Sequence, residues 1–476
     1  MASLDLSNTD NLARYMGLTM DLDNIVLPFQ DSSAQKWDIQ IDDGVIVTKR
    51  PSAKTTATPS VLLPGLCHPH IHLDKTYLLT CNHSESSGHP DYSDLAPQSG
   101  TFEEAMSNTS EAKRRYTKED LYLRGSQLLA TSYKQGVTCA RVFVEIDHVT
   151  ELKTLKTAIR LKKEFGDFLS VQICAFAQDP IFSTEHGEKN RALLLKAMNY
   201  FQSDIDAIGT TPYAETNDEA EMKNVQWAIQ TALKYDKHLD FHAEYNLNGG
   251  AVMDFFDYIV DQLLVQKWPT DTGARTVVLG HATRLTRASH AELTKFSKTL
   301  RSTKLPVHFV GLPTSDLLIM GRPIANDNSE QSEPLNRQCG TLHVRKLVQD
   351  YKLNACLSVN NVGNAFTPHG DGDPLGLASW GVGLYHAGRV EDAKLLYEAI
   401  STRAMDAIRP LDESHKKKYL VEEGKDFMPM LLVRNEESME INSTWGGALK
   451  VPARQRLQIH DIVWDPPEIR LRSIIR

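Results

Sequence analysis

Val61-Leu62-Leu63-Pro64-Gly65-Leu66-Cys67-His68-Pro69-His70-Ile71-His72-Leu73-Asp74 is the stretch on which the reading of this chain turns. A short β-rich apolar run, 61–66, passes directly into histidines at alternate positions. Runs of this length punctuated by Pro and Gly predict a buried strand. His70 and His72 are two apart, so in extended chain they fall on one side. Two imidazoles placed this way can chelate one metal ion. For an isolated His-x-His the plainer reading is a pair of hydrogen-bonded loop histidines, so the rest of the chain must decide. His68 shares the alternation but comes earlier, and is read as structural.

Outward from this stretch, residues 61–410 alternate short β-rich runs with helical patterns. Strands are predicted at 61–66, 138–146, 169–176, 207–209, 239–243, 276–281, 307–312 and 355–359. Helices are predicted at 151–165, 192–202, 218–235, 252–266, 291–299 and 342–351. Eight strands with intervening helices predict an α/β fold, a closed (β/α)8 TIM barrel. An open doubly wound sheet is the alternative, but no Gly-x-Gly-x-x-Gly follows the first strand. Both ends of the chain are β-rich. Runs at 24–27, 37–41 and 44–47, with Asp42-Asp43-Gly44 as a hairpin signal, are matched by runs at 448–451, 457–463 and 469–474. The expected division is a small β-sandwich built from residues 1–63 and 421–476, with the barrel at 64–420. Two long polar loops, 81–101 and 321–340, have the length of lids.

Composition narrows the function. The 476 residues carry 52 Lys+Arg against 61 Asp+Glu, a net charge of −9. An acidic chain without a basic patch gives no basis for binding nucleic acid. No apolar run reaches membrane-spanning length, and residues 1–11 lack the features of a signal peptide. Six scattered cysteines without a Cys-x-x-Cys read as reduced thiols. The expected setting is cytoplasmic and the expected partner a small molecule; a homo-oligomer is compatible with the sequence.

In such barrels chemistry sits at the C-terminal ends of the strands. Strand 5 ends in Phe241-His242-Ala243-Glu244-Tyr245 and strand 6 in Gly280-His281. Single strand-end histidines are weak signals. Four at one mouth, from strands 1, 5 and 6, are a much stronger one. Imidazoles suit Zn²⁺ or Fe²⁺, and the sequence does not choose between them. Strand 8 ends in Ser358-Val359-Asn360-Asn361, an amide where a carboxylate ligand would be most useful.

With these residues in view, the chain resembles the amidohydrolase superfamily and, within it, the cytosine deaminase-like branch. Leu63-Pro64-Gly65-Leu66 followed by His68-Pro69-His70-Ile71-His72-Leu73-Asp74-Lys75 carries the resemblance, with Val171 to Gln178, His242, His281 and Pro313 to Arg322. Asn361-Val362-Gly363-Asn364-Ala365-Phe366-Thr367-Pro368 is similar to a group of fungal metallo-dependent hydrolase-like proteins. The resemblance implies that His70, His72 and His242 ligate one divalent metal ion per chain. It implies that His281 hydrogen-bonds the attacking water, and that Gln172 and Phe366 contact substrate. No lysine ends strand 4, so the implied site is mononuclear.

Two departures matter. The family's strand-8 aspartate aligns with Asn360, and its strand-5 glutamate with Tyr245. Glu244 is one residue off and, by alternation, faces away; Asp371 and Asp373 are nearby but unplaced. A positioned acid or base contributes ~10²–10⁴ in rate. His281 is left as base and the Tyr245 hydroxyl as weak acid. The first expectation is therefore a hydrolase of activated C–N bonds in cyclic amides, imides or imines. The second is a non-hydrolytic Lewis-acid enzyme: a cyclase, isomerase or lyase. The third is a metal-binding pseudoenzyme.

Overall fold

The computed structural model describes residues 19–31, 34–53, 58–80, 88–247, 250–321, 340–368, 371–412 and 419–476. The chain forms two compact units, one of Met1–Gly65 with Glu413–Arg476, the other of Leu66–Asp412. The second boundary falls earlier than the 420 expected.

In the larger unit eight parallel strands lie in sequence order. They are β1 (Leu66–His72), β2 (Val137–Glu145), β3 (Ser170–Ala177), β4 (Ala207–Thr210), β5 (His238–Ala243), β6 (Val277–His281), β7 (Val307–Gly311) and β8 (Ala355–Leu357). Helices follow the strands, and the array is a (β/α)8 barrel. Apart from exposed Ser170 and half-buried Gln172 in β3, the strands are buried along their whole length, as in β2, where all nine positions are buried. Interior side chains cover one face and helices the other, which is why these strands read as continuous apolar runs. Local signals set the helices. Asp218–Tyr235 begins at Asn217, whose side chain accepts from the Ala220 N–H, and carries three acidic residues in its first turn. His290–Thr303 opens with a Ser289/Glu292 capping box.

The barrel closes at the candidate site. Ile71 and Asn360 form a parallel bridge between β1 and the segment after β8. His72 N–H donates to Asn360 O at 2.9 Å, and Asn360 N–H to His70 O at 3.2 Å.

The first barrel strand lies one segment later than expected. Ser60–Pro64 belongs to the terminal unit, pairing antiparallel with Met430–Val433 and parallel with Thr19–Val26. The histidine-bearing segment Leu66–His72 is itself β1. Pro64-Gly65 divides what looked like one strand into two. The terminal unit has a six-stranded sheet, ordered Arg472–Ile475, Met430–Val433, Ser60–Pro64, Thr19–Val26, Trp37–Asp42, Val45–Pro51. The Asp43-Gly44 turn takes φ of 52° and 77°, as the hairpin reading requires. In place of a second sheet of comparable size, the described residues add one ribbon, Ser438–Asn442 with Ala448–Pro452. Residues 459–464, expected as strand, form the helix Ile459–Trp464. There Asp461 and Gln458 make a capping box that outweighs β-propensity. No described helix is long and apolar enough to cross a membrane.

Candidate metal centre

The register of β1 against β2 decides which histidines converge. His68 pairs with Ala140 and His72 with Phe143, so β1 carries one extra residue between them. That bulge turns His68 to the face opposite His72. His68 is buried, with neither ring nitrogen hydrogen-bonded among the described residues, and lies outside the group of three histidines whose nitrogens converge. His70 and His72 enter the barrel mouth, where His70 stacks on Phe143 at 4.0 Å between centroids. His242, at the end of β5, lies 4.5 Å from the His70 ring and 5.2 Å from the His72 ring. One ring nitrogen from each of the three falls within 4.8 Å of the others. No side chain fits behind them: a Cβ on Gly280 would lie 2.9 Å from the His70 ring.

Electrostatics keep the set neutral. Burial pushes all three imidazoles well below 6.5, helped by their mutual proximity and by Lys75. At neutral pH each therefore offers a lone pair. The Nε2 atoms of His72 and His242 face each other at 3.1 Å. Both nitrogens of His70 and the Nδ1 atoms of His72 and His242 are buried without a partner among the described residues. Buried polar atoms are seldom left unsatisfied. A divalent cation held by three imidazoles fits the donor set. Behind His70, the Asp240 carboxylate lies 3.9 Å from Nδ1 and is paired with Arg141 at 3.1 Å. Burial pushes Asp240 up to about 7 despite Arg141.

His281 ends β6 with φ of 61°. Its Nδ1 bonds Asp316 Oδ1 at 2.8 Å. Thr341 Oγ1 donates to the other carboxylate oxygen at 2.8 Å, and Leu312 N–H at 3.3 Å. With Oδ2 already occupied, Oδ1 is the acceptor for a proton on Nδ1. Burial raises the Asp316 carboxyl, and the His281 contact opposes that. Asn360, with φ of 66°, donates Nδ2–H to Ser315 Oγ at 2.8 Å, while its Oδ1 has no hydrogen-bond partner among the described residues. Tyr245 lies over His281, centroids 3.8 Å apart, with its buried hydroxyl unpartnered. Burial raises this phenol, so it stays protonated. Glu244 faces away, paired with Arg284 at 2.7 Å. Positive φ at Glu244, His281, Ala282 and Asn360 gathers strained backbone at this mouth.

His72, His242, His281, Asn360 and Tyr245 meet in one pocket with room for about one water, which His70 does not line. It is lined by His72, Lys75, Phe102, Met106, Gln178, Tyr213, His242, Tyr245, His281, Asn360, Asn361 and Phe366. Phe366 and Tyr245 join Ala105, Ile319 and Ala365 in an apolar cluster, with Phe102, Met106 and Tyr213 packed against it. Gln172 is not in the pocket. It lies near the start of β3, bonded to Arg141 and to the Ile408 carbonyl. Gln178, just past the strand's C-terminal end, lines the pocket instead, because the mouth is at the other end of the strand from Gln172. Asp371 is exposed, and Asp373 caps the helix Pro374–Leu384, so neither enters the site. Sequence reasoning missed Asp316, Lys75 and Gln178. All three stood inside quoted motifs, Lys75 at the end of 68–75, Gln178 at the end of 171–178 and Asp316 within 313–322. Most of the two expected lids, 81–87 and 322–339, lies outside the described residues.

No family model matches the chain. Over 186 residues it is 23% identical to the N-isopropylammelide isopropyl amidohydrolase of Pseudomonas sp. (strain ADP), covering 39% of this chain and 42% of that protein. Over 361 residues it is 24% identical to the uncharacterized protein YahJ of Escherichia coli (strain K12), covering 73% of this chain and 66% of that one. The chain thus spans less than two thirds of these relatives. The 5-methylcytosine deaminase of Klebsiella pneumoniae, liganded with 5-fluorocytosine, superposes with a TM-score of 0.70 at 20% identity, covering 87% of this chain and 91% of that one. The atrazine chlorohydrolase TrzN of Arthrobacter aurescens TC1, complexed with zinc, gives 0.54 at 14%, covering 86% and 87%. The fold is therefore shared with deaminases and hydrolases of the amidohydrolase superfamily, the resemblance expected from the motifs.

Proposed function

We propose that this chain is a metal-dependent enzyme of the amidohydrolase superfamily that acts on a carbon–nitrogen bond of a small molecule, of cyclic amide, imide or imine type. The observation that carries this reading is the convergence of three buried, neutral imidazoles, His70, His72 and His242, with their ring nitrogens otherwise unsatisfied. One Zn²⁺ or Fe²⁺ per chain suits such a set. When bound, the ion supplies Lewis acidity, polarising the bond under attack and making a nearby water more acidic.

The chain's own residues do the rest. His281, oriented through Nδ1 by Asp316, offers Nε2 as proton acceptor. Tyr245 holds a protonated hydroxyl over that ring and donates to the leaving nitrogen. Asn360 presents Oδ1 where the family has a carboxylate, and an amide oxygen takes no proton. Gln178 contacts the substrate's amide edge in the role expected for Gln172, and Phe366 covers a ring face.

One observation favours a second reading, a non-hydrolytic Lewis-acid enzyme. None of the described residues lining the pocket is Asp or Glu. Two measurements test the proposal. Metal analysis of purified protein should find one ion per chain, falling to near zero in His72→Ala. Turnover of a substrate found by metabolite screening in H₂¹⁸O should place the label in product. Full metal retention in the variant sinks the site, and unlabelled product moves the assignment to the second reading.

A further inference from the structure

Lys75 is the one ammonium among the described residues that line the pocket, and it is only 2% exposed. An ammonium has three N–H donors. Glu145 Oε1 takes one at 2.8 Å, and the Phe366 ring lies 5.2 Å from Nζ. Glu145 is itself shared: its Oε2 is held by Lys113 at 2.9 Å. Lys113 leans further on Asp147 at 2.7 Å and Asp179 at 3.1 Å. Among the described residues Lys75 therefore has one hydrogen-bonded carboxylate, shared with Lys113, with the Asp74 carboxylate as a further nearby charge, and two of its donors have no acceptor. Among the described lining residues no group brings a carboxylate: Asn360, Asn361 and Gln178 are amides, and burial keeps the Tyr213 and Tyr245 phenols protonated. With Asn360 and Tyr245 where carboxylates would stand, none of the described residues lining the cavity supplies negative charge.

Burying a cation with unused donors is costly unless an anion completes it. We infer that Lys75 is a substrate-recognition residue, and that the substrate is a small ring compound carrying a carboxylate, bound with that group against the Lys75 ammonium and the ring toward Phe366, which requires the pocket to widen beyond its present one-water space. This deepens the proposed function and rests on it for the reaction, but the recognition is read separately from the metal.

The test uses full-length protein in zinc-loaded and metal-free forms. Its probes are orotate and uracil, the same ring with and without a carboxylate, measured by calorimetry. Wild type should bind orotate at least ~10-fold tighter than uracil in both forms. Lys75→Met should abolish that preference, and Lys75→Arg should keep part of it. In Lys75→Met, Glu145 retains Lys113, so it is not left without a cation. The double variant Lys75→Met/Glu145→Gln covers the case in which the single one misfolds. Equal affinities, no measurable orotate binding, or a preference that survives both substitutions overturns the inference. Metal content of the same samples separates this failure from failure of the proposed function: protein that holds no zinc refutes the metal reading whatever Lys75 does.

Discussion

Asn360→Asp is the substitution that most directly probes the site. Asn360 Oδ1 has no hydrogen-bond partner among the described residues, and Nδ2 donates to Ser315 Oγ at 2.8 Å. Ser315 Oγ is 2.7 Å from Thr367 Oγ1, so its hydroxyl can turn to donate to a carboxylate. Sterically the change is therefore small; its effect is charge. In metal-free protein a carboxylate appears at a position 1% exposed, near neutral imidazoles, and an uncompensated buried charge costs ~3–5 kcal/mol. Melting should drop by several degrees, since ~1 kcal/mol corresponds to roughly 2–4 °C in domains of moderate size. With zinc the same charge becomes favourable. A 10²-fold gain in affinity, ~2.7 kcal/mol, is the least expected for adding an anionic ligand. The assay is a chelator-competition titration beside thermal melts with and without zinc. The zinc-induced rise in Tm should be larger in the variant than in wild type. The variant should also gain ammonia release from cyclic amides or aminopyrimidines, since it regains a proton acceptor. Unchanged zinc affinity together with an unchanged metal-free Tm would refute the placement of residue 360 at the metal.

Gly280→Ala should weaken zinc binding by at least ~10-fold with little change in the barrel, because the added Cβ displaces the His70 ring from 2.9 Å; metal retention equal to wild type in a competition titration counters this. Tyr245→Phe deletes a buried hydroxyl that has no partner, so stability should hold or rise slightly while turnover falls by ~10²-fold or more; wild-type turnover would reduce the ring to packing. Burial holds His308 down at about 4, against 6.5 when unfolded. Between those values only the unfolded chain takes up this proton, so His308 removes stability as pH falls from 6.5 toward 4. His308→Met lacks this loss, and its stability relative to wild type should improve by ~1.4 kcal/mol per pH unit over that window in urea titrations. A difference independent of pH would show that His308 does not titrate as its burial requires.

The barrel was legible in the sequence because its strands are buried on both faces and its helices carry caps, and both leave local marks. Asn217, Ser289 and the apolar run of β2 are examples. The converging histidines were legible because they end or form strands, where a polar residue stands out against an apolar run. What the sequence misplaced depended on register and chain direction. Pro64-Gly65 split one apparent strand between two units, and a single extra residue in β1 turned His68 away from the pair that follows it. Gln172 and Gln178 lie on one strand, six residues apart in the same motif, and only the strand's span puts the second at the mouth. Lys75 and Asp316 acquire meaning from partners far along the chain, Glu145 and His281, and no local pattern encodes those distances. The sequence by itself determined the fold class and which histidines stand at strand ends, because hydrophobic period and residue type are local properties. Which side chains share the pocket, and with what charge, was decided only by tertiary structure, because closing eight strands into a ring sets distances between residues hundreds of positions apart.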